Sequence, residues 1–242
     1  MYASSFSNVR GIIFDMDNTL LQSNIDFGAM KSDIYEYLMQ NAVLESGFPV
    51  KEHTTATLIE HVRQTGKLTD SLYYAVMDIA AEHELRGMEG AGLEPGAEEL
   101  LAVLHQRYQL AIVTNNSIAA AREALERTGI ISVFDLVVGR EQMASMKPNP
   151  AGFVVVKETL RFVGNDQWLS VGDAWIDGKA SADAGIPFIS YRTGLDVMHA
   201  RGVRPIGRID RLSELIPLLE KQNESDSTYT DQEGPICGTN KG

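Results

Sequence analysis

Short apolar runs recur along the chain, and several of them end abruptly on a polar residue. Ile12, Ile13 and Phe14 run into Asp15, with Asp17 and Thr19 following at alternate positions. So short a run, bounded by polar residues, predicts a buried strand. The same signature recurs at Leu110–Val113, ending at Thr114, and at Phe134–Val138. It returns at Trp168–Val171, ending at Gly172-Asp173, and at Ile186–Ser190. Helical spacing fills the intervals. Ala97–Gln106 carries Leu100, Leu101 and Leu104 on one face; Ile118–Arg127 is closed by Gly129; Pro150–Phe162 follows. Lys179–Ala184 is closed by Gly185, and Leu212–Glu220 is the last helix. Strands alternating with helices predict an α/β fold: three layers, with helices on both faces of a parallel sheet.

The pattern changes between Phe27 and Leu85. Ile34, Tyr37, Leu38, Val43 and Leu44 lie at helical spacings, and Gly47-Phe48-Pro49 breaks that helix. A second helix is predicted from about Lys51, covering Thr57–Val62, and a third from Thr69 or Asp70 through Ala80. Together they read as a small all-helical insert. The glycine-rich stretch from Gly87 to Gly96 reads as a hinge between this insert and the resumed alternation. The expected division is therefore 1–22 with 92–220 as core, 23–91 as helical insert, and a polar, disordered tail over 221–242.

Charge narrows the partners. The 242 residues carry a net charge of −12, which argues against nucleic acid and anionic membrane surfaces. A small anionic substrate is still compatible, because a site can be locally positive. The single cysteine, Cys237, excludes an internal disulfide framework and suits a reducing cytoplasm. Met1–Arg10 contains no apolar stretch of the secretory type, and no run approaches the length of a membrane span.

The strand ends carry the chemistry. In parallel sheets ligands sit beyond the carboxyl ends of the strands, where Asp15, Asp17, Thr114, Asn115 and Asp173 fall. Asp15 and Asp17 repel each other unless a cation intervenes or one holds a proton. Each Asp alone could merely cap the next helix. Asp15, Asp17 and Asp173 converging, with Asp177 four residues on, suit a hard cation such as Mg²⁺. Thr114-Asn115-Asn116-Ser117 leads into a helix N-terminus and offers a hydroxyl and backbone N–H groups to an anion. Lys147 stands just before Pro148 and Pro150, which stiffen its approach to the following helix.

In that order and spacing, the chain resembles the haloacid dehalogenase superfamily of phosphohydrolases. The residues that carry the resemblance are Asp15-Met16-Asp17-Asn18-Thr19, Thr114-Asn115, Lys147-Pro148 and Gly172-Asp173-Ala174-Trp175-Ile176-Asp177. It extends over roughly Val9–Leu219 and is strongest to the phosphoglycolate phosphatase-like and beta-phosphoglucomutase-like members. It implies a Rossmann-like core with the insert as a helical cap. It implies Asp15 as nucleophile and Mg²⁺ ligand, and Asp17 as general acid and base whose backbone carbonyl reaches the metal. Thr114, the Asn115 backbone and Lys147 would hold the phosphoryl oxygens, Asp173 would ligate Mg²⁺, and Asp177 would support that shell. The second aspartate favours phosphate-ester chemistry over dehalogenation.

These readings converge on a Mg²⁺-dependent phosphatase for a small phosphorylated metabolite. A phosphomutase using the same residues, and a non-catalytic binding module on the same fold, are the alternatives. The five histidines, His53, His61, His83, His105 and His199, show no metal-ligand spacing and read as ordinary helix or surface positions. Lys31, Arg63, Lys67 and Arg86 lie in the insert, where solvated helix faces or contact with an anionic substrate would account for them.

Overall fold

The computed structural model describes residues 8–220; the tail at 221–242, expected to be disordered, and Cys237 lie outside them. In chain order the elements are strand β1 (Gly11–Phe14), β2 (Leu21–Gln22), helix α1 (Phe27–Gln40), α2 (Thr55–Gln64), α3 (Asp70–Met88) and β3 (Gly92–Leu93). Next come α4 (Ala97–Leu104), β4 (Gln109–Val113), α5 (Ile118–Arg127), β5 (Leu136–Val138), α6 (Ala151–Thr159) and β6 (Trp168–Gly172). The chain continues through α7 (Trp175–Asp183), β7 (Phe188–Tyr191), α8 (Leu195–Ala200), β8 (Gly207–Ile209) and α9 (Leu215–Glu220).

The main sheet has six parallel strands in the order β5-β4-β1-β6-β7-β8. Burial on both faces explains the continuous apolar runs. Ile12 and Phe14 of β1 join one buried cluster with Leu110, Ile112, Leu169 and Val171. Ile13 points the other way, into a second cluster with Val113, Phe153, Val156 and Trp168. The first cluster continues into α1–α3 through Met30, Ile34, Leu58, Val62, Val76 and Ala80. The fold is thus a three-layer α/β, Rossmann-like core with a helical cap.

The sheet register positions the site. Phe14 pairs with Ile112 on one side and Val171 on the other, so the residues after β1, β4 and β6 emerge side by side. The strand order runs outward in both directions from β1, which makes its carboxyl end a switch point.

Several elements differ from expectation. A sixth strand, β8, closes the sheet; its three residues, Gly207–Ile209, are too few to stand out as an apolar run. Helix α7 begins at Trp175 rather than Lys179, because the Asp177 carboxylate accepts the Ala174 N–H at 2.9 Å and so starts the helix earlier. The glycine-rich hinge is more ordered than a loop. Gly87 and Met88 extend α3, and Gly92–Leu93 pairs antiparallel with Leu21–Gln22 as a short ribbon. Gly87 is needed there: a Cβ would lie 2.5 Å from the Ile25 Cα on the outgoing connection. Among the described residues, no helix is long and apolar enough to cross a membrane.

Candidate active site

The turn after β1 is built to present carboxylates. Asn18 takes a left-handed φ of 56°, which asparagine tolerates better than most residues, and its N–H donates to the Leu21 carbonyl at 2.7 Å. This folds the chain back so that Asp15, Asp17 and Thr19 stay together. Thr19 Oγ1 donates to Asp15 Oδ2 at 3.1 Å.

Lys147 reaches this turn from the loop before α6. Its side chain is fully buried, and Nζ donates to Asp15 Oδ1 at 2.6 Å and to the Val113 carbonyl at 2.7 Å. Nζ also lies 2.7 Å from Asp177 Oδ1, although off the hydrogen-bonding direction. Asn115 clamps the lysine's backbone, accepting the Lys147 N–H at 2.8 Å and donating to the Lys147 carbonyl at 3.0 Å. Burial alone would lower the lysine's pKa; Asp15 and Asp177 more than reverse this, so it stays charged.

One carboxylate oxygen from each of Asp15, Asp173 and Asp177 lies within 4.8 Å of the others. Among the described residues, the cation paired with this set is Lys147, through Asp15 and Asp177. Burial first, then the nearby Asp15 and Asp177, push the Asp173 carboxyl upward. Burial and then Asp15 raise Asp177 too, against the opposing pull of Lys147. A set of hard oxygen donors with excess negative charge fits a divalent cation. Gly172 lets the set form, since a Cβ there would meet Asp177 Oδ2 at 2.6 Å.

The Asp17 side chain stands apart from that triad. It is 8% exposed, and its Oδ2 accepts Asn116 Nδ2 at 2.7 Å while Oδ1 has no partner. Burial, reinforced by Asp15, pushes its pKa up to about 7. The Asp17 carboxyl therefore holds its proton up to near neutral pH, as a general acid needs. Thr114 is buried at the end of β4, where its Oγ1 accepts the Asn116 N–H at 3.1 Å.

All seven residues singled out from sequence, Asp15, Asp17, Thr114, Asn115, Lys147, Asp173 and Asp177, line one cavity of about 410 Å³ between the sheet's carboxyl edge and the helical insert. Met30, Ile59, Met77 and Ala80 form its apolar roof. Of the four insert cations singled out from sequence, Lys31 alone lines it, donating to the His53 carbonyl at 2.8 Å. Arg63 instead donates to the Ala144 carbonyl at 2.9 Å, Lys67 pairs with Glu45 at 3.8 Å, and Arg86 donates to the Glu82 carbonyl at 3.2 Å. His53, read as an ordinary position, lines the cavity and stacks on Phe48 with centroids 5.1 Å apart.

Sequence reasoning missed Asn116 as the partner of Asp17, and it missed Glu84 and Arg140, which form a buried ion pair in the cavity wall. A signal for Glu84 existed. It continues the apolar stripe Val76–Ala80 at the i+4 spacing, where a charge calls for a buried partner.

Comparison with known proteins agrees with this geometry. Residues 12–191 match the family model of haloacid dehalogenase-like hydrolases, and the chain belongs to that family of enzymes. It is 28% identical to a phosphoglycolate phosphatase of Rhodobacter capsulatus over 191 residues, which is 76% of this chain and 84% of that one. It is 27% identical to the phosphoglycolate phosphatase of Salmonella typhimurium over 236 residues, covering 88% and 93% of the two chains. Its fold is similar to that of a haloacid dehalogenase-like family hydrolase from Streptococcus pneumoniae, with a TM-score of 0.62 at 18% identity, covering 88% of this chain and 100% of the other.

Proposed function

We propose that the protein is a Mg²⁺-dependent phosphatase for a small phosphomonoester, working through a phosphorylated Asp15. The observation that carries this reading is Lys147 Nζ held 2.6 Å from Asp15 Oδ1, beside an acid whose pKa stands at about 7. Relatives that are phosphoglycolate phosphatases support it and favour a short phosphorylated acid or sugar as substrate.

In the first step a carboxylate oxygen of Asp15 attacks phosphorus, and the bond to the leaving oxygen breaks. Protonated Asp17 gives its proton to that oxygen. In the second step Asp17, now a carboxylate, takes a proton from water as the water oxygen attacks phosphorus and releases Asp15. Lys147, with the Thr114 hydroxyl and the Asn115 N–H, offsets charge on the phosphoryl oxygens. Asp15 and Asp173, with the Asp17 carbonyl, would hold Mg²⁺; Asp177 stands close enough to join them or to fix the set in place. The cation supplies further charge neutralisation between anionic nucleophile and anionic substrate.

The division of labour belongs to the same proposal. Residues 23–91 act as a cap that closes over a core made of 1–22 and 92–220, excluding water and selecting the alcohol. Lys31 meets the end of the substrate that does not react. A chain with one cysteine suits a reducing cytoplasm.

The test is phosphate release from a panel of phosphometabolites, with and without Mg²⁺, by wild type and Asp15→Asn. Equal turnover by both proteins would sink the mechanism. Isomerised hexose phosphate in place of free phosphate would identify a phosphomutase, and no turnover at all would leave a binding module.

A further inference from the structure

A buried ion pair in the cavity wall belongs to neither the acids nor Lys147. Glu84 lies on α3 of the insert and Arg140 in the 3-10 turn after β5; their side chains are 3% and 5% exposed. Burying two charges costs more in desolvation than apolar packing would, so stability alone is a weak reason for them. Their hydrogen bonds suggest a different reason.

Glu84 Oε1 pairs with Arg140 Nη1, while its other oxygen accepts the Ser117 N–H at 3.0 Å. Arg140 Nη2 donates back to the Met77 carbonyl of α3 at 3.2 Å. Its backbone N–H donates to the Asn116 carbonyl at 3.0 Å, and Nη1 reaches the Asn115 carbonyl at 3.5 Å. One helix of the insert is thereby fastened to the loop 114–117. From that loop Asn115 clamps the Lys147 backbone and Asn116 holds Asp17.

The far end of the segment 140–147 is held by the insert as well. Ser145 Oγ donates to Glu60 Oε2 at 3.1 Å, and Arg63 Nη1 donates to the Ala144 carbonyl at 2.9 Å, both from α2. The segment that delivers Lys147 is therefore gripped by two insert helices, through Arg140 at its start and Ala144-Ser145 near its end.

We propose that Glu84 and Arg140 are positioning residues: their ion pair transmits docking of the helical insert to the loop 114–117 and to the segment carrying Lys147. The phosphoryl-binding groups are then in register only when α3 is seated. This rests on the phosphatase reading for its kinetic consequence, though not for its structural one.

The test is Glu84→Gln, which keeps the shape and removes the charge, followed by hydrogen exchange and by kinetics. Exchange is expected to rise together in α3, 115–118 and 140–147, with β1 and β6 unchanged. In the folded variant kcat is expected to fall about tenfold to a hundredfold with KM moving less than about threefold, the signature of lost alignment rather than lost binding. The double variant Glu84→Gln/Arg140→Met should lose no more than the worse single variant, because both residues serve one contact. Exchange confined to α3, an unchanged kcat, or additive losses would overturn the proposal. If the wild type hydrolyses no phosphomonoester, the phosphatase reading fails and the exchange pattern alone decides the coupling. Should Glu84→Gln not fold, Arg140→Lys decides it: exchange raised in both α3 and 115–118 supports the coupling, and a rise confined to 139–141 overturns it.

Discussion

The floor and the roof of the cavity are built on opposite principles. The floor, at the strand ends of the sheet, is crowded with charge: Lys147 touches Asp15 and Asp177, with Asp173 beside them. Its polar groups sit at strand ends and in the loops that follow, tied by contacts such as Lys147 to Asp15 and Asn116 to Asp17. The roof is apolar, with Met30, Ile59, Met77 and Ala80 on helices and Lys31 as its cation. On the proposed reading the floor acts on the phosphoryl group, and the roof, easily altered by single substitutions, selects the molecule that carries it.

Changes to the floor, and to the Glu84–Arg140 contact that aligns it, should therefore cost kcat, and changes to the side chains of the roof should cost KM. Asp15→Asn breaks the comparison most severely, with turnover expected to fall about 10⁴-fold or more, since the proposed nucleophile has no substitute. Lys147→Met should follow at about 10²–10³-fold in kcat. It should also lower the melting temperature, because Asp15 and Asp177 lose their buried counter-charge.

The Asp17 titration gives a sharper separation. On the proposed mechanism its carboxyl must hold a proton for the first step, so turnover is expected to fall as pH rises through the Asp17 pKa, which a bound cation draws below its metal-free value of about 7. Mg²⁺ binding should show the opposite sense. Asp173 and Asp177 have raised pKa values and must ionise to ligate, so affinity rises with pH and binding releases protons, measurable by calorimetry in two buffers.

Gly172→Ala should act more gently, pushing Asp177 from its place and weakening Mg²⁺ by about tenfold to a hundredfold while the fold persists. The smallest effect belongs to the roof. Lys31→Gln is expected to raise KM by a few-fold, roughly 1 kcal/mol of binding, and to leave kcat alone. A kcat loss without a KM change would contradict the division between floor and roof.

The same division explains what the sequence disclosed. Asp15, Thr114 and Asp173 were legible because each directly follows a buried strand or its terminal glycine, and a parallel sheet brings adjacent strand ends together whatever the details of packing. Lys147 was legible through its prolines and the spacing of the motifs. The roof was not. The apolar periodicity of α1–α3 marks a buried face, but burial against a neighbouring helix and exposure to a cavity give the same pattern. Arg140 was hidden for a related reason. A single arginine after a short strand has no local signature until its partner, 56 residues away, is known. Strand β8 and the early start of α7 were missed because one is too short to show a period and the other depends on a side-chain cap.

The most direct measurement is acid quenching of the enzyme during turnover with Mg²⁺ and a substrate from the phosphometabolite panel, followed by peptide mapping by mass spectrometry. A phosphoryl group is expected on the peptide containing Asp15, and it should be absent in Asp15→Asn. Steady turnover with no phosphorylated peptide, undiminished in Asp15→Asn, would contradict the account.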